Sequence, residues 1–234
     1  MKNVLTILCL FTVYASRSQT VINVDKERNP VTNQTFYSAG GFPVSTAKYV
    51  TLVSGSPYFN DNWMKGNILI NDSAEYDNIR MRLDLVEGSL LYLGKDNEEL
   101  ISTMKVKGVL LKDSILGVNY LFVNSSAIPG TPPGEKGWYL LLAGKKAALY
   151  KQFYKRLLES KAYGSSVTEQ SINTEERYYL GINNTVVRIK KASDIADAAG
   201  DKKQALLDYI QKNKLSAKNE PDLIAIVNYL DTLN

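Results

Sequence analysis

The chain has 234 residues, 28 Lys and Arg against 24 Asp and Glu for a net charge of +4, one cysteine and no histidine. Without histidine, Ser-His-Asp and Cys-His catalysis, the usual zinc sites and a histidine pH switch are excluded. Catalysis would have to rest on carboxylates, lysine, tyrosine or serine, and a metal on oxygen ligands.

At the N-terminus, Lys2, an apolar run over residues 4–13 and small residues ahead of Gln19 predict a secretory signal peptide over 1–18. The run is shorter than the roughly 18 consecutive apolar residues of a membrane-spanning helix. A cut before Ser16 also satisfies the small-residue rule; the one before Gln19 is preferred. Cys9 follows Leu8 inside the apolar run, so it reads as part of the signal rather than as an acylated lipoprotein cysteine. The mature chain then has no thiol and no disulfide framework. Loss of Lys2 and Arg17 with no acid leaves it at +2. It is expected to be exported, periplasmic or at the cell surface, with no transmembrane segment, no cofactor and no nucleic-acid partner.

From residue 49 to 112 the pattern is one of short strands without helical stretches between them, which predicts antiparallel pairing. The clearest strand is 79–85. Ile79, Met81, Leu83 and Leu85 alternate with Arg80, Arg82 and Asp84, which sends Met81 and Leu83 to the core and Arg80 and Arg82 to solvent. A strand over 63–70 precedes it across an Asn71-Asp72-Ser73 turn. Strands over 89–93, 99–101, 106–111, 117–124 and 138–143 follow, with a turn over 94–97. Pro129, Pro132 and Pro133 make 125–137 a loop.

Residues 147–162 admit two readings. Leu149, Tyr150, Phe153, Tyr154, Leu157 and Leu158 recur in pairs four apart, as on an amphipathic helix. Their aromatic content and the tight Gly144-Lys145 turn just before them fit the second arm of a hairpin instead. Residues 164–176 are polar and read as loop, and 177–182 with 185–189 read as a hairpin about Asn183-Asn184. After Lys191 the pattern turns helical. Ser193 is placed to cap a helix stopping at Gly200, Asp201 to cap the next, and Pro221 to open a last helix with Leu223, Ile224, Val227, Leu230 and Leu233 on one face. The expected fold is mainly β: an antiparallel domain of meander and hairpins over 19–191, with a small helical appendage over 192–234 docked on it.

The segments leading through Trp63-Met64-Lys65-Gly66, the 81–93 stretch, Tyr178-Tyr179 and the closing helix from Asp222-Leu223-Ile224 to Tyr229 resemble a group of exported bacterial proteins, β-rich in front and helical at the end. The resemblance implies that fold, an envelope location in a Gram-negative cell, and a strand rather than a helix over 147–162. It carries no activity and no site residues.

Motifs with catalytic associations are weak. Ser45-Thr46-Ala47-Lys48 matches S-x-x-K and Ser171-Ile172-Asn173 an S-x-N, but no K-T-G follows and the first runs into an apparent strand over 49–53. The acid pairs Glu98-Glu99 and Glu175-Glu176 are neighbours whose side chains diverge on a strand, unlike the facing carboxylates of glycosidases. N-x-S/T matches at Asn33, Asn71, Asn124 and Asn183 read as polar turns. One segment has a charge argument. Residues 136–161 carry seven basic residues against Glu159, interleaved with aromatics. Lys145, Lys146, Lys151, Lys155, Arg156, Tyr150 and Tyr154 are the candidate site for an anionic polysaccharide or lipid surface, with an envelope protein the other partner class. The functional expectation is a non-catalytic binding or interaction module; the alternative is a small envelope hydrolase using Ser/Lys or carboxylate chemistry.

Overall fold

A computed structural model describes residues 20–23, 41–44, 46–71 and 74–233. The signal-peptide segment, Ser45, Asn33 and the Asp72-Ser73 turn lie outside the described residues. The β-rich part is one sheet. Its strands are β1 (Thr20–Asn23), β2 (Gly41–Pro43), β3 (Leu52–Ser54), β4 (Met64–Asn71), β5 (Ala74–Asp84), β6 (Ser89–Leu93), β7 (Glu99–Ser102), β8 (Gly108–Asp113), β9 (Val118–Asn124), β10 (Trp138–Ala143), β11 (Ala148–Ser160), β12 (Glu169–Ile182) and β13 (Thr185–Ile189). In space the path runs β13-β12-β11-β10-β9-β8-β4-β5-β6-β7-β2. Pairing along it is antiparallel. Two short strands depart from this, β1 lying parallel to β5 and β3 parallel to β12.

The alternating strand behaves as its pattern dictates. Ile79, Met81 and Leu83 of β5 are buried, at no more than 1% exposure, with Ile68 of β4, Val109 and Leu111 of β8, and Phe122 of β9. The sheet is curled, as the contact between strands far apart along it shows: Trp138 at the start of β10 donates from its indole N–H to Gly88 O in the β5–β6 turn at 3.0 Å. A strap over residues 51–59 ties the two ends of the curl together. At one end it meets β12, where Gln170 N–H donates to Thr51 O at 2.9 Å; at the other it meets β5, where Phe59 N–H donates to Leu83 O at 3.0 Å and Leu85 N–H to Pro57 O at 2.8 Å. Phe59 itself stacks edge-on against Tyr120 and Phe122 inside the curl.

Within 147–162 the chain is strand, β11 over Ala148–Ser160, and the apolar pairs are explained by two-sided burial. Leu149 and Phe153 face the curled core and its continuation, whereas Tyr150 joins Tyr139, Tyr179 and Val186 in a smaller core on the opposite face. The loop expected over 164–176 is corrected: β12 begins at Glu169 and pairs with β11 over its whole length, Ser160 opposite Glu169 through Ala148 opposite Gly181. Its first half has exposed side chains on both faces, so no alternation marks it. The β12–β13 turn is the expected one, with Asn183 and Asn184 both at positive φ (50° and 57°), as a two-residue hairpin requires. Instead of a strand running through 49–53, Thr46–Tyr49 forms a 3₁₀ turn and only Leu52–Ser54 pairs.

Three helices follow: α1 (Ala192–Ala198), α2 (Lys203–Lys212) and α3 (Glu220–Leu233). Their starts differ from expectation. Asp194, not Ser193, satisfies the first turn of α1, accepting from Lys190 N–H (2.8 Å) and Lys191 N–H (3.0 Å). Asp201 pairs with Lys202 in a 3₁₀ turn ahead of α2 rather than capping it. Asn219 caps α3, taking Asp222 N–H at 2.9 Å, with Pro221 in the first turn. The buried face of α3 is Leu223, Ile226, Val227 and Leu230, all at 0% exposure; Ile224 is only partly buried, and Ile226 takes the central place expected for it. These side chains pack with Leu206 of α2 onto Leu149, Leu180 and Ile189 of the sheet. No described helix is long and apolar enough to cross a membrane.

Candidate functional site

The seven residues singled out by charge and aromaticity are not gathered into one patch. Alternation along β11 sends Lys151 and Lys155 to one face and Tyr150, Tyr154 and Arg156 to the other. Both of the first pair serve partners within the fold rather than a surface patch for an anionic ligand. Lys151 Nζ bridges Glu176 of β12 and Glu220 at the start of α3, each at 2.9 Å. Burial alone would lower its ammonium, but the two carboxylates outweigh burial and hold its pKa above the ordinary lysine value. Lys155 Nζ donates to Ser56 O (2.8 Å) and Tyr58 O (2.7 Å), pinning the strap; burial pulls its pKa down. On the other face Arg156 is exposed at the far end of β11, and the Tyr154 ring is covered by the Arg177 guanidinium at 3.4 Å. Lys145, Lys146 and Tyr150 do come together, lining a pocket of about 250 Å³ beside the Asn183-Asn184 turn. Asp231, which does not line that pocket, holds the turn carrying the two lysines by accepting the N–H groups of Lys145, Lys146 and Ala147.

A different basic site appears on the outer face of the sheet. Register places Arg80 of β5 opposite Lys65 of β4, and Lys65 opposite Lys112 of β8. Three cations thus stand side by side on three adjacent strands. Directly opposed side chains lie about 5 Å apart, and like charges in such pairs repel. All three line a groove of about 460 Å³, with Trp63 and Asn62 beside them. Asp113, the one acid lining the groove, spends Oδ1 on the N–H groups of Ile115 and Leu116, both at 2.9 Å. Asp77, outside the groove lining, pairs with Lys112 at 3.4 Å, and Arg80 donates to Asn97. By residue type the lining carries three cations against one acid.

Trp63 is fixed from behind. The Arg82 guanidinium lies 4.4 Å from the Trp63 ring centroid and 3.7 Å from that of Tyr58, and it also reaches Glu99 at 3.4 Å and Asp61 O at 3.2 Å. Its side chain is only 12% exposed, which corrects the reading of Arg82 as a solvent-facing residue. Arg80, two positions away on the same face, is exposed as expected. The signal missed in the sequence is cross-strand register: residues 65, 80 and 112 look unrelated until the pairing is known.

The weak catalytic motifs stay apart. Ser45 lies outside the described residues, and Lys48 pairs with Glu87. Glu175 binds Arg177 and Arg188 while Glu176 binds Lys151 from the opposite face. Glu98 holds the turn at Asp96 N–H, and Glu99 turns to Arg82. Among the described residues no group of three or more acids stands where it could hold a metal ion. No known protein family, curated protein or solved structure matches the chain.

Proposed function

We propose that this is an exported, non-catalytic binding module of the cell envelope, periplasmic or surface-exposed, and that it takes an anionic polysaccharide into the groove of Arg80, Lys65 and Lys112. The observation that carries the reading is the cation ladder itself. Three cations on adjacent strands line one groove, so a carboxylate or sulfate bound there can meet more than one of them. Trp63 favours a saccharide over an inorganic anion or a flat lipid surface, since its ring, backed by Arg82, offers a rigid apolar platform beside the charges. Export rests on the charged, apolar and small-residue succession of residues 1–18 and on the resemblance to exported bacterial proteins.

Polygalacturonate and its uncharged methyl ester are the discriminating pair. The acid should bind at low salt and weaken as ionic strength rises, because exposed charges are screened over about 10 Å at 0.1 M. The methyl ester should bind far less. Lys65→Glu with Lys112→Glu should abolish binding without loss of folding, and Trp63→Ala should weaken it at every salt concentration. Absence of binding at low salt, or equal binding of acid and ester, refutes the groove as the site. N-terminal sequencing of the protein from fractionated cells tests export separately: a chain that still begins at Met1 sinks that half of the proposal.

A further inference from the structure

The outer face of the sheet carries a second cavity that shares no lining residue with the basic groove and is its chemical opposite. It measures about 370 Å³ and lies between the 3₁₀ turn at Thr46–Tyr49, the strap, and strands β5 to β7. Leu91 and Ile101 form an apolar floor, with Val44 at one side. The rings of Tyr49 and Tyr58 wall it, and at its inner end is Asp84, only 5% exposed. Asp84 Oδ1 accepts the N–H groups of Val86 and Glu87, both at 2.9 Å, while Oδ2 accepts the Tyr49 hydroxyl at 3.0 Å. These bonds fix the carboxylate where it stands. The charged lining is Asp84, Glu87 and Lys48, so the cavity is net negative by one charge.

We propose that this cavity binds a small organic ammonium group carried on an apolar, ring-bearing body. A cation over tyrosine faces is attracted by the ring quadrupole, and a desolvated carboxylate nearby adds its own field. The chain's own Lys48 displays this chemistry at the rim, where its ammonium is held by Glu87 and stands 6.0 Å from the Tyr49 ring centroid. Arg82, which lies over Tyr58, does not line the cavity, and its charge is answered by Glu99. Burial raises the Asp84 carboxyl above its ordinary pKa in spite of three donors, so its negative charge is left undercompensated by the protein. A cation seated beside it would supply what is lacking. An apolar cavity of this size with a few convergent polar groups is the usual form of a small-molecule site.

Phenethylammonium, 2-phenylethanol and 3-phenylpropionate are matched probes with cationic, neutral and anionic ends. Titration of the folded protein, followed by amide chemical shifts and calorimetry, should show phenethylammonium binding at least tenfold tighter than the alcohol, with no binding of the carboxylate. The shifts should centre on Tyr49, Tyr58, Ser89 and Ile101. Asp84→Asn should erase the preference for the cation while its side-chain oxygen still accepts the turn N–H groups. Ile101→Trp, which fills the floor and removes no charge, should abolish binding of all three; it serves if the first variant folds poorly. Equal binding of amine and alcohol, no binding of the amine at millimolar concentration, or binding undiminished in Ile101→Trp would each overturn the proposal.

Discussion

Replacing Lys155 with methionine isolates the ammonium that pins the strap. Methionine keeps an unbranched apolar stem of similar reach, so packing along β11 is nearly conserved. What is lost is a pair of charge-assisted hydrogen bonds, at 2.8 Å to Ser56 O and 2.7 Å to Tyr58 O. Bonds from a charged donor are worth about 1.5–3 kcal/mol each. Part of that is already spent, since burial opposes the charged form and holds the Lys155 pKa down. A net loss of roughly 2–3 kcal/mol follows. At about 2–4 °C per kcal/mol for a chain of this size, the unfolding midpoint should fall by roughly 5–10 °C. Denaturant unfolding gives the free energy, and hydrogen exchange gives the location. Protection should drop at the Phe59, Leu85 and Gln170 amides, which carry the strap's bonds to β5 and β12, and persist in α3. A loss below about 0.5 kcal/mol, within the range of an ordinary surface substitution, together with unchanged exchange at those amides, would refute the role given to Lys155.

On β5, Met81→Asp should cost roughly 4 kcal/mol or more by placing a charge in the core, whereas Arg80→Asp should stay within about 0.5 kcal/mol, both read by chemical denaturation. Arg82→Ala should cost about 2 kcal/mol, because two ring faces and an ion pair lose their partner; a neutral result would show that the Tyr58–Arg82–Trp63 stack carries no stability. Two aspartates should give opposite pH signatures. Asp231, held below its ordinary pKa by the backbone N–H groups of Ala147, Lys145 and Lys146, contributes stability that is present above the unfolded value and lost as pH falls through the folded one; Asp231→Ala should remove that dependence and cost about 2 kcal/mol at neutral pH. Asp84 is raised, so between 3.8 and its folded value the native state binds the extra proton and stability falls as pH rises; Asp84→Asn should therefore gain on the wild type across that window, as pH-resolved melting curves would show.

How much of this was legible in the sequence depends on whether a segment's surroundings are simple. β5, β6 and β10 are wetted or buried in the way a single alternation or apolar run describes; the bounds of β6 and β10 were readable, whereas β5 begins at Ala74, five residues before the expected 79. The apolar stripe of α3 was visible too, although Ile226 was passed over for Ile224 and Leu233. β11 defeated periodicity because it is covered on both faces: Phe153 packs on the curled core and Leu149 on the core under the helices, both from one face, Tyr150 on a third cluster from the other, and the resulting pairs imitate a helix. β12 defeated it for the opposite reason. Its first half pairs with β11 and the strap, but Ile172 is its one buried side chain and Asn173, Thr174 and Glu175 are exposed in succession, so no alternation marks it as strand. Charge density along the chain misled in a related way. Lys151 and Lys155 sit in the most basic segment yet serve internal acceptors, while the outer-face ladder draws one cation from each of three adjacent strands, at positions 65, 80 and 112 of the chain.

The strap carries a consequence for the order in which the chain assembles. Its contacts with Leu83 and Leu85 can form once β5 exists, but Gln170 and Lys155 are made much later, and these bonds span most of the sheet's sequence. Contacts of such separation are slow to close, because loop entropy must be overcome before they return anything. The meander of β8 to β11, built from neighbouring hairpins, has no such delay. The strap should therefore settle after the rate-limiting barrier, acting as a latch on a sheet already curled. Damage to the latch should then accelerate unfolding and leave the folding rate almost untouched. A protein held this way owes its persistence less to how fast it folds than to how seldom one short crossing segment lets go.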